Sequence, residues 1–209
     1  MIRTGNIFNF LCMAVFLAAP APGWTQNSAS HASQQTGTCG LPHPPQSRIV
    51  LSGVRATLAF SPAGDSEQLI LRAIAAAQHE ILVQAYSFTN RRIISALGKA
   101  RARGVNVRVI LDKTDTQPYE GREPVAAVIR AERITVWVDS KVNIAHNKVM
   151  VLDDKSVITG SYNFTYSAEY DNAENLLYFR DAPQLAKAYA DNWRWRRSCA
   201  QPYEGQPVY

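Results

Sequence analysis

The sequence predicts a single α/β domain built on a mixed central β-sheet with helices on both faces. Three observations predict it. Short apolar runs recur along the chain, among them "EILVQAYSFT", "VNVRVILD" and "ITVWVD". Segments of helical period alternate with them, the pattern of a sheet covered on both sides. Of 209 residues, 46% are hydrophobic and 19% charged, enough apolar surface for one substantial core.

Two stretches precede the domain. Met1 to Phe10 carries Arg3 and no acid, "IFNFLCMAVFLAAP" is a short apolar run, and Ala21-Pro22-Gly23 offers small residues for cleavage. That is the layout of a secretory signal peptide over residues 1–23, so the mature chain is expected in the periplasm or outside the cell. The run from Ile7 to Ala19 is short for a membrane span. Leu11 before Cys12 is not the small residue a lipoprotein signal wants. Residues 24–48 are rich in Gln, Ser, Thr and Pro and end in "LPHPPQ", a flexible lead-in. The domain is then expected over 49–200, with 201–209 as a tail.

Within the domain, "RATLAF" reads as a strand. "SPAGDSEQLILRAIAAAQ" reads as a helix with Leu69, Ile70, Ala73, Ile74 and Ala77 on one face. The strand "EILVQAYSFT" is followed by a helix from Asn90 to Arg103, stopped by Gly104. After "VNVRVILD" comes a long polar loop, Lys113 to Pro124, which either lines a substrate groove or covers surface. A short helix follows over 124–131, then the strand "ITVWVD". "KVMVLD", "SVITG" and "ENLLYF" are three further strands, before a last helix from Pro183 to Arg197.

Removing the signal leaves two cysteines, Cys39 and Cys199, near the two ends of the chain. An even count in an exported protein predicts a disulfide between them; the alternative is two buried thiols. Closing so long a loop is worth up to roughly 4–5 kcal/mol in the chain-entropy model. The formal net charge of +5 falls to +4 without Arg3, which suits polyanionic partners, nucleic acid or an anionic membrane, or simply a solvated basic surface.

Chemistry concentrates in "IAHNKVMVLDDKSVITGSYNFTYSAEYDNAENLL", Ile144 to Leu177. His146 and Lys148 stand two apart on an expected strand, so both project from one face. The Asp153-Asp154-Lys155 turn sends "SVITG" back beside that strand, and after Gly160 the residues Ser161 and Asn163 emerge near the pair. Glu174 opens the next strand, within reach of the imidazole. A neutral imidazole can attack phosphorus and hold it covalently. A lysine supplies a point charge for a phosphate oxygen, and Ser and Asn add donors where charge develops. A carboxylate can fix the imidazole's tautomer. The leaving oxygen needs an acid as well, and His31, His43 and His79 are poorly placed to be it.

The pattern His146-x-Lys148-x4-Asp153-x6-Gly160-Ser161-x-Asn163 resembles the HKD motif of the phospholipase D superfamily. Six fixed positions at these spacings arise by chance on the order of once in 10⁵ chains of this length, so the pattern is read as a site. From about Ser52 to Arg197 the chain is similar to the short bacterial phospholipase D-like endonucleases. The resemblance implies an α-β-α sandwich and, with a single motif, a homodimer in which two motifs face each other. One His146 would form the phosphohistidine and the other would protonate the leaving group, with no cofactor and no metal. It also implies that Lys148 and Asn163 bind phosphate, Ser161 assists, and Glu174 orients His146. Asp153 and Gly160 are then structural. The alternative reading of His146, Asp153 and Glu174 as metal ligands is opposed by an ammonium in the same pocket.

The motif implies phosphodiester cleavage and leaves the substrate open. In "NWRWRRSC", Trp193 and Trp195 alternate with Arg194, Arg196 and Arg197. These are either stacking platforms and phosphate clamps or a core tryptophan with a basic helix end. No long apolar loop or amphipathic helix offers itself to lipid. The expected activity is a metal-independent, nonspecific endonuclease on DNA or RNA. The alternative is a phospholipase D acting on phosphatidylcholine- or cardiolipin-like lipids. A non-catalytic nucleic-acid-binding dimer is disfavoured, since every motif position is filled.

Overall fold

The computed structural model describes residues 48–209. The expected signal peptide, nearly all of the lead-in and Cys39 lie outside them. The apolar runs become β1 (Arg55–Ser61), β2 (Glu80–Ala85), β3 (Asn106–Asp112), β4 (Thr135–Asp139), β5 (Lys148–Leu152), β6 (Ser156–Gly160) and β7 (Glu174–Arg180). The helices are α1 (Ser66–Ala76), α2 (Arg91–Ala102), α3 (Val125–Ala131), α4 (Tyr166–Tyr170) and α5 (Pro183–Cys199), and β8 (Gln201–Pro202) closes the list.

These strands form one sheet in the order β1-β7-β6-β5-β2-β3-β4-β8. Only β2, β3 and β4 run parallel; every other pairing is antiparallel, so the sheet is mixed as expected. Alternation along β2 divides the core between the two faces. Ile81, Val83 and Ala85 join Ile70 and Ile74 of α1 and Ile93 and Leu97 of α2 on one side. Leu82 points to the other side, where Ile110, Val149, Val151 and Val157 meet Ala186, Ala190 and Trp193 of α5. Each such fully buried aliphatic side chain contributes roughly 1.5–3 kcal/mol of transfer free energy.

Local signals set the boundaries. The Asn90 side chain accepts from the Arg92 and Ile93 amides and starts α2. Asp153 and Asp154, both at φ 53°, make the left-handed turn that folds β6 back on β5. Two short elements were not foreseen. α4 spans five residues, too few to display a period, and begins where the Thr165 hydroxyl accepts from Ala168 N–H at 3.1 Å. β8 lies in the expected tail: Gln201 and Pro202 pair with β4, Tyr203 is buried, and Thr116 Oγ1 accepts the Val208 amide at 2.9 Å.

Candidate active site

The end of the sheet where parallel strands β2, β3 and β4 finish is also where β5 and β7 begin and β6 ends. Crevices at the carboxyl ends of parallel strands are common ligand sites in α/β folds. Ladder pairing sets Lys148 opposite Ala85, the last residue of β2, and Gly160 opposite Leu176. Five sequence-selected residues, His146, Lys148, Ser161, Asn163 and Glu174, are carried by the segments at this end.

Lys148 is 7% exposed. Its ammonium lies 5.1 Å from the centre of the Tyr86 ring and donates to the His146 carbonyl at 3.0 Å. Burial pushes it below the usual lysine range, and the Glu174 carboxylate pulls it back. His146 is not on the strand. It is exposed, in the link before β5, and its ring packs 4.6 Å from that of Tyr86 at 56°. The physical reason lies on β3. Asp112 takes the Ala145 N–H at 2.6 Å, which holds the chain beside the end of β3 and delays the β5–β2 ladder until Lys148. One tyrosine ring therefore contacts both an exposed imidazole and a buried ammonium.

Gly160 has φ 147°, and a Cβ there would stand 2.3 Å from the Asn175 carbonyl, so no other residue fits. That carbonyl accepts from Ser161 N–H and Tyr162 N–H. The Ser161 hydroxyl donates to Glu174 Oε2 at 2.5 Å and accepts from Asn175 N at 3.1 Å. Glu174 Oε1 accepts from Asn172 at 3.3 Å. Both carboxylate oxygens are thus engaged, and no hydrogen bond joins Glu174 to His146 among the described residues; its charge acts on Lys148 instead. Asn163 is half-buried, with an Oδ1 that has no hydrogen-bond partner among the described residues.

Asp153 stands at the far end of β5. It accepts the Gln78, His79 and Glu80 amides at 2.7–3.2 Å. Burial raises its pKa, but those amides outweigh it and hold the carboxylate below the usual range. It braces the α1–β2 junction and is roughly 16 Å of strand away from Lys148. A second buried cluster is tied to the site segment through Tyr162, which stands between Ser161 and Asn163. Tyr162 donates to Glu169, Glu169 accepts the Glu67 amide, and Glu67 accepts from Asn90 at 2.7 Å. Arg92 pairs with Glu67 at 2.5 Å. Burial and the Glu169 bond raise the Tyr162 pKa, keeping its hydroxyl protonated.

The two readings of the last helix separate here. Trp193 is buried, donates to the Val83 carbonyl at 2.9 Å, and meets Trp137 edge-on. Arg196 is paired with the buried Asp139, Arg194 with Asp191 and Asp154, and Arg197 lies over Trp137. Trp193 and Arg196 are core and ion-pair residues. In the polar loop, Thr114, Asp115, Tyr119 and Arg122 line a cavity of about 470 Å³ together with Tyr86. Tyr86, Asp112 and Asp115 escaped the sequence reading; the signal available was that each ends or closely follows an apolar strand at the site end of the sheet. His79 contributes only to the junction at the opposite end, while His31 and His43 lie outside the described residues. Cys199 is buried at the end of α5. Among the described residues no helix is long and apolar enough to cross a membrane.

A family model described as cardiolipin synthase, PLD-like domain, matches residues 70–195. The chain belongs to the phospholipase D superfamily and is a hydrolase of phosphodiesters. It is 34% identical over 193 residues to a phospholipase D of Rickettsia conorii, covering 92% of this chain and 94% of that one. A phospholipase D of Rickettsia prowazekii is 36% identical over 148 residues, 71% of this chain and 70% of its own. The crystal structure of the phospholipase D family member Nuc from Salmonella typhimurium superimposes with a TM-score of 0.66 at 36% identity, over 72% of this chain and 98% of that one.

Proposed function

We propose that this phosphodiesterase is a metal-independent, nonspecific endonuclease of DNA and RNA, exported from the cell and active as a homodimer. The observation that carries the reading is that an exposed His146 ring and the buried Lys148 ammonium both pack against Tyr86, beside a cavity lined by Arg91 and Arg122. An imidazole nitrogen attacks phosphorus as the P–O bond to the leaving strand breaks. Lys148, with the Asn163 amide, neutralises charge on the non-bridging oxygens. His146 of a second copy gives its proton to the leaving oxygen. Water then attacks the phosphohistidine, passing a proton to that second imidazole, and the N–P bond breaks to release a phosphate monoester. Glu174 balances Lys148 and fixes Ser161. A lysine at the point of attack fills the electrostatic role a metal would otherwise take.

The second copy has a surface to dock on. Leu58 is 57% exposed and Phe60 59% exposed, and across the ladder from Leu58 lies Leu177. They lie on the α5 side of the sheet, where α5 packs over β2, β4, β5 and β6, and Leu58 and Phe60 both stay exposed among the described residues. Phe60 pairs with Asn175 and Ser61 with Glu174, so the apolar row runs up to the site. Cys39 and Cys199 are proposed to be bridged, as suits an exported chain.

A phospholipase is the second reading, favoured by the names of the Rickettsia relatives and by exposed Ile144, two residues from His146. One experiment tests both: supercoiled plasmid, and phosphatidylcholine–cardiolipin vesicles, each in excess EDTA with wild type and His146→Ala. We expect the wild type to nick the plasmid and the variant to lose about 10³-fold or more of that rate. Vesicle hydrolysis without nicking would select the phospholipase instead.

A further inference from the structure

The cavity that Tyr86 lines carries features that the phosphodiester chemistry alone does not require. Its volume of about 470 Å³ falls within the roughly 300–1,000 Å³ of small-ligand sites. Ile94 and Val125 give it aliphatic lining, Tyr86 and Tyr119 aromatic lining, the latter 71% exposed, and Arg122 a cation. Asp115 also lines it. That side chain is 8% exposed, and its Oδ2 has no hydrogen-bond partner among the described residues. A buried carboxyl oxygen left unpaired is costly, and its place in a cavity wall indicates that a ligand completes it.

We infer that this cavity is a nucleobase subsite, taking an unstacked base of the strand being cut, with Asp115 hydrogen-bonding the base edge and Tyr119 stacking on its face. The inference rests on the endonuclease reading and adds which part of the substrate is held. Burial and then Asp112 push the Asp115 carboxyl up to about 8, so near neutrality it offers both a donor and an acceptor, as an amide does. A base presents both kinds of group on one edge and a flat face for an aromatic ring. Arg122 suits a flanking phosphate and opposes a cationic lipid head group. Tyr86 lines the cavity and packs against His146 and Lys148, so a bound base would lie next to the scissile phosphate.

The test uses the full chain, EDTA, and two single-stranded oligonucleotides of equal length, one with normal bases and one abasic throughout its centre. Wild type should cleave the abasic strand about tenfold less efficiently in kcat/KM. Asp115→Ala should show that same tenfold loss on the normal strand and no further loss on the abasic one. Asp115→Asn, an amide in place of a neutral carboxyl, should keep cleavage of the normal strand within about threefold of wild type. Thermal unfolding of each variant reports its fold, and Tyr119→Ala, an exposed substitution, repeats the measurement should Asp115→Ala fail to fold. Equal wild-type rates on the two strands would overturn the subsite. So would a head-group role, seen as Asp115→Ala slowing hydrolysis of phosphatidylglycerol vesicles but not of the normal strand. If wild type cuts neither strand, the endonuclease reading fails first and takes the subsite with it.

Discussion

Asp115 keeps its proton at pH values where most aspartates have lost theirs, and that has a measurable sign. Its pKa rises from 3.8 to about 8 on folding, through burial and the neighbouring Asp112 and against the pull of the Phe88 amide. The folded chain therefore holds a proton that the unfolded chain releases above about pH 4. Stability on this account is full below pH 4 and drains away as pH climbs toward 8. Arg91, Arg122 and Glu123 share the cavity and partly offset one another. Asp115→Asn should flatten the pH dependence of urea unfolding and gain roughly 2–4 kcal/mol over wild type at pH 8. A parallel decline in both proteins would show that Asp115 is ionised in the fold. At this scale the site was half legible. His146, Lys148, Ser161, Asn163 and Glu174 were readable because the motif fixes their spacing within one stretch of chain. Tyr86, Asp112 and Asp115 were not, because each acts on the site from a different strand or loop. The expected Glu174–His146 bond failed for the same reason: Ser161 and Asn172 claim the carboxylate first.

Among the elements, α5 depends most on one contact. Arg196 Nε donates to Asp139 Oδ2 at 2.6 Å, with the two side chains 12% and 1% exposed. This fastens the last helix to the end of β4. Arg196→Ala leaves a buried carboxylate with no counter-ion and should cost about 3–5 kcal/mol by urea unfolding. Adding Asp139→Ala should recover part of that loss; if the double variant is less stable than the single, the pair is not acting through charge. Strands β2, β3, β5 and β6 were legible because buried runs of Val, Ile and Leu between turn residues have few other uses. α4 and β8 were not, since a five-residue helix and a two-residue strand carry no period. The basic end of α5 had two readings that only its neighbours Asp139, Asp154 and Trp137 could separate.

For the whole molecule the open question is assembly. The proposed chemistry needs two imidazoles, and the motif supplies one per chain. Leu58 and Phe60 are the accessible apolar residues nearest the site on the β1 edge of the sheet. Leu58→Asp with Phe60→Asp should convert a dimer to a monomer in sedimentation velocity, leave the melting temperature within about 2 °C because both residues are exposed, and abolish nicking. A monomeric wild type that nicks would sink the two-copy site.

The order of strands also governs when this activity can exist. β1 pairs with β7, with Arg55 opposite Arg180, and β2 pairs with β5 as well as with β3. Such distant pairings form late, after most of the chain is available. Ser161 and Glu174 meet only when β6 and β7 are both in place. A chain still emerging from the ribosome, or cut short before β7, has its motif histidine and lysine but no assembled site. Until β6 and β7 lie side by side, the groups that the motif spaces along the chain share no common site.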